Sequence, residues 1–313
     1  MRILVVGAGA VGGYFGGRLL EAGRDVTFLV RVRRAAELAR TGLVVESRAG
    51  SFHHPAPPLV DAQALKPDFD LVLLSCKAYD LEGAIDAFAP AVGSRTAILP
   101  LLNGMRHLDA LSERFGAAAV LGGKCFISTV LDPDGRVLHL SDAHGLTFGE
   151  RDGTRSPRVL AIEAAFANAR FESGLSTTIL QDMWEKWSFI ATAAGITCLM
   201  RAALGDIVAT GAGDLTLALF DECRAIARDN GFEPRRDFVE GARATLVEKG
   251  STMTASMLRD VESGARTECD QILGDLLRRA RGSVDPRSIL RLAYAHAKAY
   301  EARRERELGA ARG

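Results

Sequence analysis

The chain has 313 residues, 48% of them hydrophobic and 25% charged, and its 39 Lys+Arg balance its 39 Asp+Glu. This length predicts two domains with a sizeable core, and the zero net charge argues against a nucleic-acid or membrane partner. The five cysteines form no CxxC pair and the six histidines form no HxxxH or HExxH pair. We therefore expect reduced thiols in a cytoplasmic protein, no metal site, and neither a signal peptide nor a membrane-spanning segment.

The first element is the apolar run Ile3–Val6, which predicts a buried strand followed by a glycine-rich turn and a helix from Val11 to Glu21. A Gly-x-Gly-x-x-Gly turn in this context is typical of dinucleotide binding, because its glycines let the backbone approach a pyrophosphate at the helix N-terminus. The alternative is a purely structural turn. The predicted cofactor-binding residues here are Gly7, Ala8, Gly9, Ala10, Val11 and Gly12.

The second predicted strand runs from Asp25 to Arg31. In NAD enzymes an acid at the end of this strand binds the ribose 2′-hydroxyl. Here that end carries Arg31, followed by Arg33 and Arg34, while Asp25 lies at the opposite end. Because guanidinium groups match phosphate geometry, the sequence favours NADP over NAD. The alternative is an exposed basic loop with no ligand.

The rest of the first half alternates strands with helical segments, which predicts an α/β fold with a Rossmann-type, doubly wound parallel sheet. Two of these strands, Val137–Leu140 and Leu146–Gly149, are predicted to form an antiparallel hairpin. The other strands are expected at Leu43–Glu46, Asp70–Ser75 and Ala97–Leu102, and from Val120 onward.

The pattern changes near Ser176, after which the apolar spacing is helical. We expect an NADP-binding domain over residues 1–176 and an all-helical substrate and dimerisation domain over 177–313, with the substrate in the cleft between them. A homodimer and a monomer both stay open. The predicted helices are Leu180–Met200, Asp214–Asn230, Pro234–Gly250, Ser256–Val261, Glu268–Arg281 and Pro286–Arg303.

Two candidate site residues follow predicted strands of the first half. Lys77 comes after the strand that ends at Ser75, and Asn103 comes after the next strand. Ligands of parallel sheets bind outside the carboxyl ends of the strands, so both side chains are expected near the cofactor. The alternatives are a solvated lysine and a plain Asn-Gly turn.

Three further candidates lie in the helical half. Lys186 is placed between Trp184 and Trp187, where partial desolvation would suit it to proton transfer, but the residues alone favour a lysine snorkelling at a helix surface. Glu268 could orient a lysine or a substrate hydroxyl, and Ser256 could bind a substrate carboxylate. For both, the residues alone favour helix capping over these roles.

In this order, the motifs resemble those of the ketopantoate reductase (2-dehydropantoate 2-reductase) family over nearly the whole chain. The matching segments are Gly7–Gly12, Arg31, Lys77–Tyr79, Asn103–Met105, Trp184–Lys186, Ser256–Asp260 and Thr267–Asp270. The resemblance implies reduction of the 2-oxo acid ketopantoate to pantoate by NADPH, in pantothenate biosynthesis.

The resemblance also implies a role for each matching residue. The glycine turn, Arg31 and Lys77 would bind NADP. Lys186 would donate the proton to the substrate oxygen, and Ser256 would bind the substrate carboxylate. Asn103 and Glu268 would contact both the cofactor and the reacting groups, with Asn103 also touching the substrate.

One departure concerns the substrate. The family carries asparagines one and two turns after the lysine, which help hold the lysine and the ketopantoate hydroxyl. Here those positions are Ile190 and Ala194, and a third asparagine is absent near Leu204. The remaining polar substitutes on this helix are Ser188, Thr192 and Thr197. Because hydroxyl recognition depends on such bonds, two alternatives stay open: a D-2-hydroxyacid dehydrogenase for bulkier apolar 2-oxo acids, and a non-catalytic NADP-binding regulator.

Overall fold

The computed structural model describes residues 1–281 and 285–310. The Cα positions divide the chain into two compact units. The first consists of Met1–Leu102 and His107–Leu180, and the second consists of Asn103–Arg106 and the chain from Gln181 onward. Among the described residues, no helix is both long and apolar enough to cross a membrane.

The first part of the chain alternates strands and helices as the sequence predicts. Its elements are β1 (Arg2–Val6), α1 (Ala10–Glu21), β2 (Asp25–Leu29), α2 (Val32–Thr41), β3 (Leu43–Glu46), β4 (Phe52–His54), β5 (Leu59–Val60), β6 (Leu71–Leu74), α3 (Leu81–Phe88), β7 (Ala97–Pro100), α4 (Arg106–Phe115), β8 (Gly122–Leu131), β9 (Val137–Gly149), α5 (Pro157–Phe166) and β10 (Glu172–Leu175).

A parallel five-stranded sheet forms the first layer, in the order β5-β2-β1-β6-β7. The chain moves outward from β1 to β2 and β5, then returns to β6 on the other side of β1. Ligands of such open sheets bind at this point of reversal, beyond the carboxyl ends of the two central strands. The Rossmann-type fold is therefore confirmed, and the turns after β1 and β6 lie at this point of reversal.

A second sheet contains β10, β9, β3 and β4 in that order, with β8 also paired to β9. The strand predicted at Leu43–Glu46 belongs to this sheet and not to the parallel one. Helix α1 packs against strands of both sheets, because its glycines leave room for aromatic side chains. A Cβ on Gly16 would lie 2.7 Å from the Phe28 ring, and one on Gly17 would lie 2.6 Å from the Phe52 ring.

The predicted hairpin within residues 137–149 is wrong. These residues form the single strand β9, which pairs antiparallel with β8 from Gly122 opposite Gly149 to Leu131 opposite Val137. The hairpin turn lies earlier, where the Asp132 N–H donates to the Arg136 carbonyl oxygen at 2.9 Å. The pairing is irregular in the middle of β9, where the register shifts between Ile127 opposite His144 and Thr129 opposite His139.

Every regular element among the described residues of the second unit is helical. The structure adds a short helix that the sequence pattern missed (α7), and it continues the last helix past the predicted end. The segment before α11 is a single π-helical turn, Asp270–Gly274. The helices are α6 (Ile179–Met200), α7 (Leu204–Ala209), α8 (Gly213–Asp229), α9 (Arg236–Leu246), α10 (Ser256–Glu262), α11 (Asp275–Arg279) and α12 (Ile289–Ala310).

Candidate active site

The glycine turn after β1 has the geometry of a phosphate cradle. A Cβ on Gly12 would collide with the Gly7 carbonyl oxygen and the Ser75 hydroxyl, so only glycine fits there. Gly9, the N-cap of α1, has no capping side chain, and the first turn of the helix carries no acidic residue. No other heavy atom lies within 4 Å of a Cβ built on Gly9. The helix N-terminus thus offers N–H groups and open space to an anion.

Ser75, directly after β6, stabilises this turn. Its hydroxyl lies 3.0 Å from the Val6 carbonyl oxygen and 3.1 Å from that of Gly7, and it donates to both as a shared hydrogen bond. The end of β1 and the end of β6 are therefore joined through one half-buried side chain. Sequence reasoning gave Ser75 no role, although a serine at the carboxyl end of a central strand is a usable signal.

The predicted phosphate-binding arginine lies at the same edge of the sheet. Arg31 is the N-cap residue of α2, and its side chain is 76% exposed. Its Nη2 donates to Asp80 Oδ1 at 2.7 Å. The hydrogen bond and the charge attraction of Asp80 both raise the pKa of the Arg31 guanidinium. The sequence analysis missed Asp80, an acid three residues beyond Lys77.

Arg33 and Arg34, which follow in the sequence, contact other residues of the first unit. Arg34 Nε donates to the Ala8 carbonyl oxygen in the glycine turn at 2.9 Å, and its Nη1 lies 3.3 Å from Glu37. Arg33 is exposed, and its Nε lies 3.4 Å from Glu37. Of the three predicted cations, Arg34 therefore stabilises the glycine turn, while Arg31 and Arg33 are both exposed.

Lys77 follows β6 at the third residue after the strand. It is half-buried and precedes a short 3-10 turn, in which its carbonyl oxygen accepts the Asp80 N–H at 2.9 Å. This turn fixes Lys77 and Asp80 relative to one another. Both residues lie in the loop that leaves the carboxyl end of β6.

In the second unit, the structure brings together two residues that are 83 positions apart. Lys186 Nζ on α6 donates to Asn103 Oδ1 at 2.9 Å, and both side chains are half-buried. Gln271, 5% exposed, donates from Nε2 to the Asn103 carbonyl oxygen at 2.8 Å. Gly104 has φ +77°, and a Cβ there would lie 2.8 Å from the Gln271 carbonyl oxygen. The segment that carries Asn103 is therefore closely packed against Gln271.

The π-helical turn that contains Gln271 is held on two sides. The Trp187 Nε1–H donates to the Ile272 carbonyl oxygen at 2.9 Å, next to Lys186 on α6. On the α12 side, the Tyr294 hydroxyl donates to Asp270 Oδ1 at 2.7 Å. π-Helical turns are rare and occur frequently at functional sites, and this one connects the lysine helix with the Asn103 segment.

Glu268 precedes this turn and is nearly buried. Beside it, the Thr267 hydroxyl donates to Glu301 Oε1 at 2.6 Å, and Lys298 Nζ lies within 3.1 Å of both Asp270 and Glu301. Ligand atoms of Cys269, Asp270 and Glu301 lie within 4.8 Å of one another, as in a metal site. The ammonium of Lys298 already supplies the positive charge between these carboxylates. The role expected for Glu268 stays a prediction.

The residue before Lys186 belongs to a separate ionic cluster. Glu185 is 3% exposed and accepts from the backbone N–H and the side-chain Nε of Arg235, both at 2.8 Å. Arg235 also pairs with Asp182. Burial alone would raise the pKa of the Glu185 carboxyl, but hydrogen bonds from Arg235 hold that pKa below its ordinary value. This carboxylate is therefore committed to Arg235.

Ser256 is the exposed first residue of α10, whose N-cap is Ala255. The capping alternative for Ser256 is therefore wrong, because Ala255 takes the N-cap position and no side chain caps this helix. Its expected contact with a substrate carboxylate stays a prediction.

Comparisons with known proteins place these features in a family. The model for ketopantoate reductase PanE/ApbA matches residues 3–153, and the model for its C-terminal part matches residues 178–301. A Bacillus subtilis protein named uncharacterized oxidoreductase YkpB is 41% identical over 303 residues, which cover 96% of this chain and 99% of that protein. The chain belongs to the ketopantoate reductase family. It is an oxidoreductase that acts on a CH–OH group, in a family that uses NAD(P)H.

Solved structures agree with the family assignment. The crystal structure of 2-dehydropantoate 2-reductase from Methylococcus capsulatus matches with a TM-score of 0.86 and 27% identity, over 97% of this chain and 98% of that one. A ternary structure of D-mandelate dehydrogenase with NADH and anilino(oxo)acetate matches with a TM-score of 0.85 and 19% identity, over 97% and 100%. The second likeness shows a shared fold.

The polar substitutes suggested for the missing family asparagines are not available. The hydroxyls of Ser188, Thr192 and Thr197 are fully buried, and each donates to the carbonyl oxygen four residues earlier, at 3.0, 2.8 and 2.6 Å. Residues three, four, seven and eight positions after Lys186 share its face of α6. These residues are all apolar: Phe189, Ile190, Ala193 and Ala194.

Proposed function

We propose that this chain reduces a 2-oxo acid to the 2-hydroxy acid with NADPH, and that ketopantoate is the first candidate substrate. The observation that carries the proposal is the 2.9 Å hydrogen bond from Lys186 Nζ to Asn103 Oδ1. It gives the second unit an oriented proton donor. Membership in the ketopantoate reductase family supports the choice of substrate class.

The hydrogen bond to Asn103 suits the role of an acid. The amide oxygen of Asn103 accepts one N–H of Lys186 and so fixes the direction of the ammonium group. As the substrate carbonyl carbon is reduced, its C=O π bond breaks and the oxygen takes the proton from Lys186 Nζ. The product is a hydroxyl, and the neutral amine of Lys186 is reprotonated from solvent. A positioned acid of this kind contributes about 10²–10⁴ in rate.

The first unit has residues that fit the coenzyme. The diphosphate would bind at the N-terminus of α1, where Gly12 admits no side chain and the space beside Gly9 is open. Arg31 would bind the 2′-phosphate and Lys77 would supply a second cation from the loop after β6. When bound, the nicotinamide supplies the hydride. In the second unit, Ser256 would bind the substrate carboxylate, and Glu268 would orient Lys186 or the substrate.

A second candidate substrate is a 2-oxo acid with a bulkier, wholly apolar side chain. The apolar face of α6 beyond Lys186 favours it, because Ile190 and Ala194 offer no partner to the terminal hydroxyl of ketopantoate. Burying that hydroxyl against apolar groups costs free energy that an apolar substrate avoids.

A matched pair of substrates tests the proposal. Purified protein is assayed for NADPH oxidation with ketopantoate and with trimethylpyruvate, which is ketopantoate without its terminal hydroxyl, and with larger apolar 2-oxo acids. Turnover of any of these acids supports the reductase. A higher kcat/KM for ketopantoate supports the first candidate, and a preference for trimethylpyruvate supports the second. NADPH binding without turnover of any 2-oxo acid contradicts the proposal and favours a non-catalytic role.

A further inference from the structure

Arg31, the proposed ligand of the 2′-phosphate, is paired with a carboxylate to which the family resemblance gives no role. Arg31 Nη2 lies 2.7 Å from Asp80 Oδ1. This pair joins the segment after β2 to the segment after β6, and these strands flank β1, whose carboxyl end carries the glycine turn. Any ligand that binds the Arg31 guanidinium therefore comes within reach of the Asp80 carboxylate.

We infer that Asp80 is a specificity-determining residue that weakens binding of NADPH relative to NADH. The inference rests on the coenzyme part of the proposed function. In NAD enzymes the acid at the end of the second strand accepts a hydrogen bond from the ribose 2′-hydroxyl. In this chain the residue at that position of the sequence is Arg31. Asp80, from the segment after β6, places a carboxylate directly beside Arg31.

The opposing charges explain the direction of the effect. A phosphate monoester carries about 1.5 to 2 negative charges near neutral pH, and the ribose of NADH carries none at this position. Asp80 repels the phosphate, competes with it for Arg31, and can accept a hydrogen bond from a 2′-hydroxyl. For charges a few ångströms apart at a protein surface, loss of this repulsion corresponds to about a tenfold or larger gain in affinity.

The pair is also able to open. Arg31 is 76% exposed and Asp80 is 34% exposed, and surface ion pairs of this kind are weak. A 2′-phosphate can therefore displace Asp80 from the guanidinium, with Lys77 as a second cation in the same loop as Asp80. The wild-type chain accordingly binds both coenzymes, and Asp80 keeps the preference between them small.

The test measures binding and needs no substrate. NADPH and NADH are titrated into wild-type protein and Asp80→Asn, with coenzyme fluorescence as the readout, and adenosine 2′,5′-bisphosphate and AMP are tested as competitors. Asp80 is the N-cap residue of α3 but makes no side-chain capping bond, so Asp80→Asn should fold. Asp86→Asn is the matched control, because it removes an equal charge from an exposed position on α3.

We expect Asp80→Asn to raise the ratio of the NADH Kd to the NADPH Kd by about tenfold or more, while Asp86→Asn leaves it within about twofold. The bisphosphate should bind more tightly to Asp80→Asn, and AMP should not. Adding Arg31→Ala to Asp80→Asn should remove most of the gain. Asp80→Glu, which keeps the charge, should keep a ratio close to that of the wild-type chain.

Three outcomes would overturn the inference. Equal changes in both affinities, or the same shift in Asp86→Asn, would mean that Asp80 does not select between the coenzymes. Failure of folded protein to bind either coenzyme would refute the coenzyme assignment and this inference together. If instead the ratio shifts as expected but no 2-oxo acid is reduced, only the proposed substrate fails and the role of Asp80 is supported.

Discussion

The hydrogen bond between Lys186 and Asn103 makes a quantitative prediction. Asn103→Ala removes the side-chain acceptor of the Lys186 ammonium and leaves the backbone of the segment in place. A hydrogen bond to a charged group contributes about 1.5–3 kcal/mol, which corresponds to about 10- to 150-fold in kcat/KM if the bond is needed in the transition state. Lys186→Met removes the acid itself and should lower kcat/KM by about 10²–10⁴-fold.

The double variant decides whether the two residues act together. If Asn103 contributes to turnover by orienting Lys186, then adding Asn103→Ala to Lys186→Met should not lower kcat/KM any further. Steady-state NADPH oxidation with the best 2-oxo acid substrate provides kcat and KM for all four proteins. Asn230→Ala controls for general destabilisation, because it removes two hydrogen bonds to backbone in the same unit and should lower Tm but keep kcat.

Two results would show that Asn103 does not orient Lys186 for turnover. One is full activity of Asn103→Ala, which would mean that the observed hydrogen bond has no part in turnover. The other is a double variant whose loss equals the product of the two single losses, which would mean that Asn103 acts independently of the lysine.

Three further predictions follow from the second unit. Gln271→Met removes the donor to the Asn103 carbonyl oxygen and should lower kcat about 3- to 10-fold with little change in KM. The isosteric variant Gln271→Glu should lower kcat at least as much. Equal kcat in the wild type and both variants would contradict a positioning role for Gln271. Arg235→Met leaves the Glu185 carboxylate buried without its cation. The free energy of unfolding should fall by about 2–3 kcal/mol at neutral pH, which is less than for a fully buried pair because Arg235 is half exposed. Because the folded-state pKa of Glu185 is depressed, this stabilisation is present above the ordinary glutamate pKa and is lost as the pH falls through the folded-state value. The free energies of unfolding of the wild type and Arg235→Met, measured with urea, should therefore converge in acid. A difference that stays constant with pH would contradict this prediction. Ile190→Asn restores a family asparagine at a half-buried position and should raise the kcat/KM ratio of ketopantoate to trimethylpyruvate by about tenfold or more, whereas an unchanged ratio would show that this face of α6 does not contact the substrate.

Much of the first unit could be predicted from the sequence because its signals are local. The glycine turn has a defined spacing between a buried strand and a helix, and Arg31 and Lys77 are located by counting from strand ends. The hairpin prediction in residues 137–149 failed because polar residues in the middle of a long paired strand look like a turn when the partner strand is unknown.

The contacts of the candidate site were less predictable because they are not local. Lys186 and Asn103 were both candidates, but no pattern shows that residues 83 positions apart share a hydrogen bond. Gln271 and Asp80 were missed for the same reason, since each acts on a residue from another part of the chain. The serine and threonine hydroxyls on α6 were misjudged because composition does not show that they bond to their own helix.

The central claim is that this chain transfers a hydride to a 2-oxo acid with Lys186 as the proton donor. The most direct test is mass spectrometry of the product formed with NADPH deuterated at the transferable position of the nicotinamide. The account predicts a 2-hydroxy acid that carries one deuterium at C2, formed about 10²–10⁴-fold more slowly by Lys186→Met. A product without deuterium, or equal rates for the wild type and Lys186→Met, would contradict it.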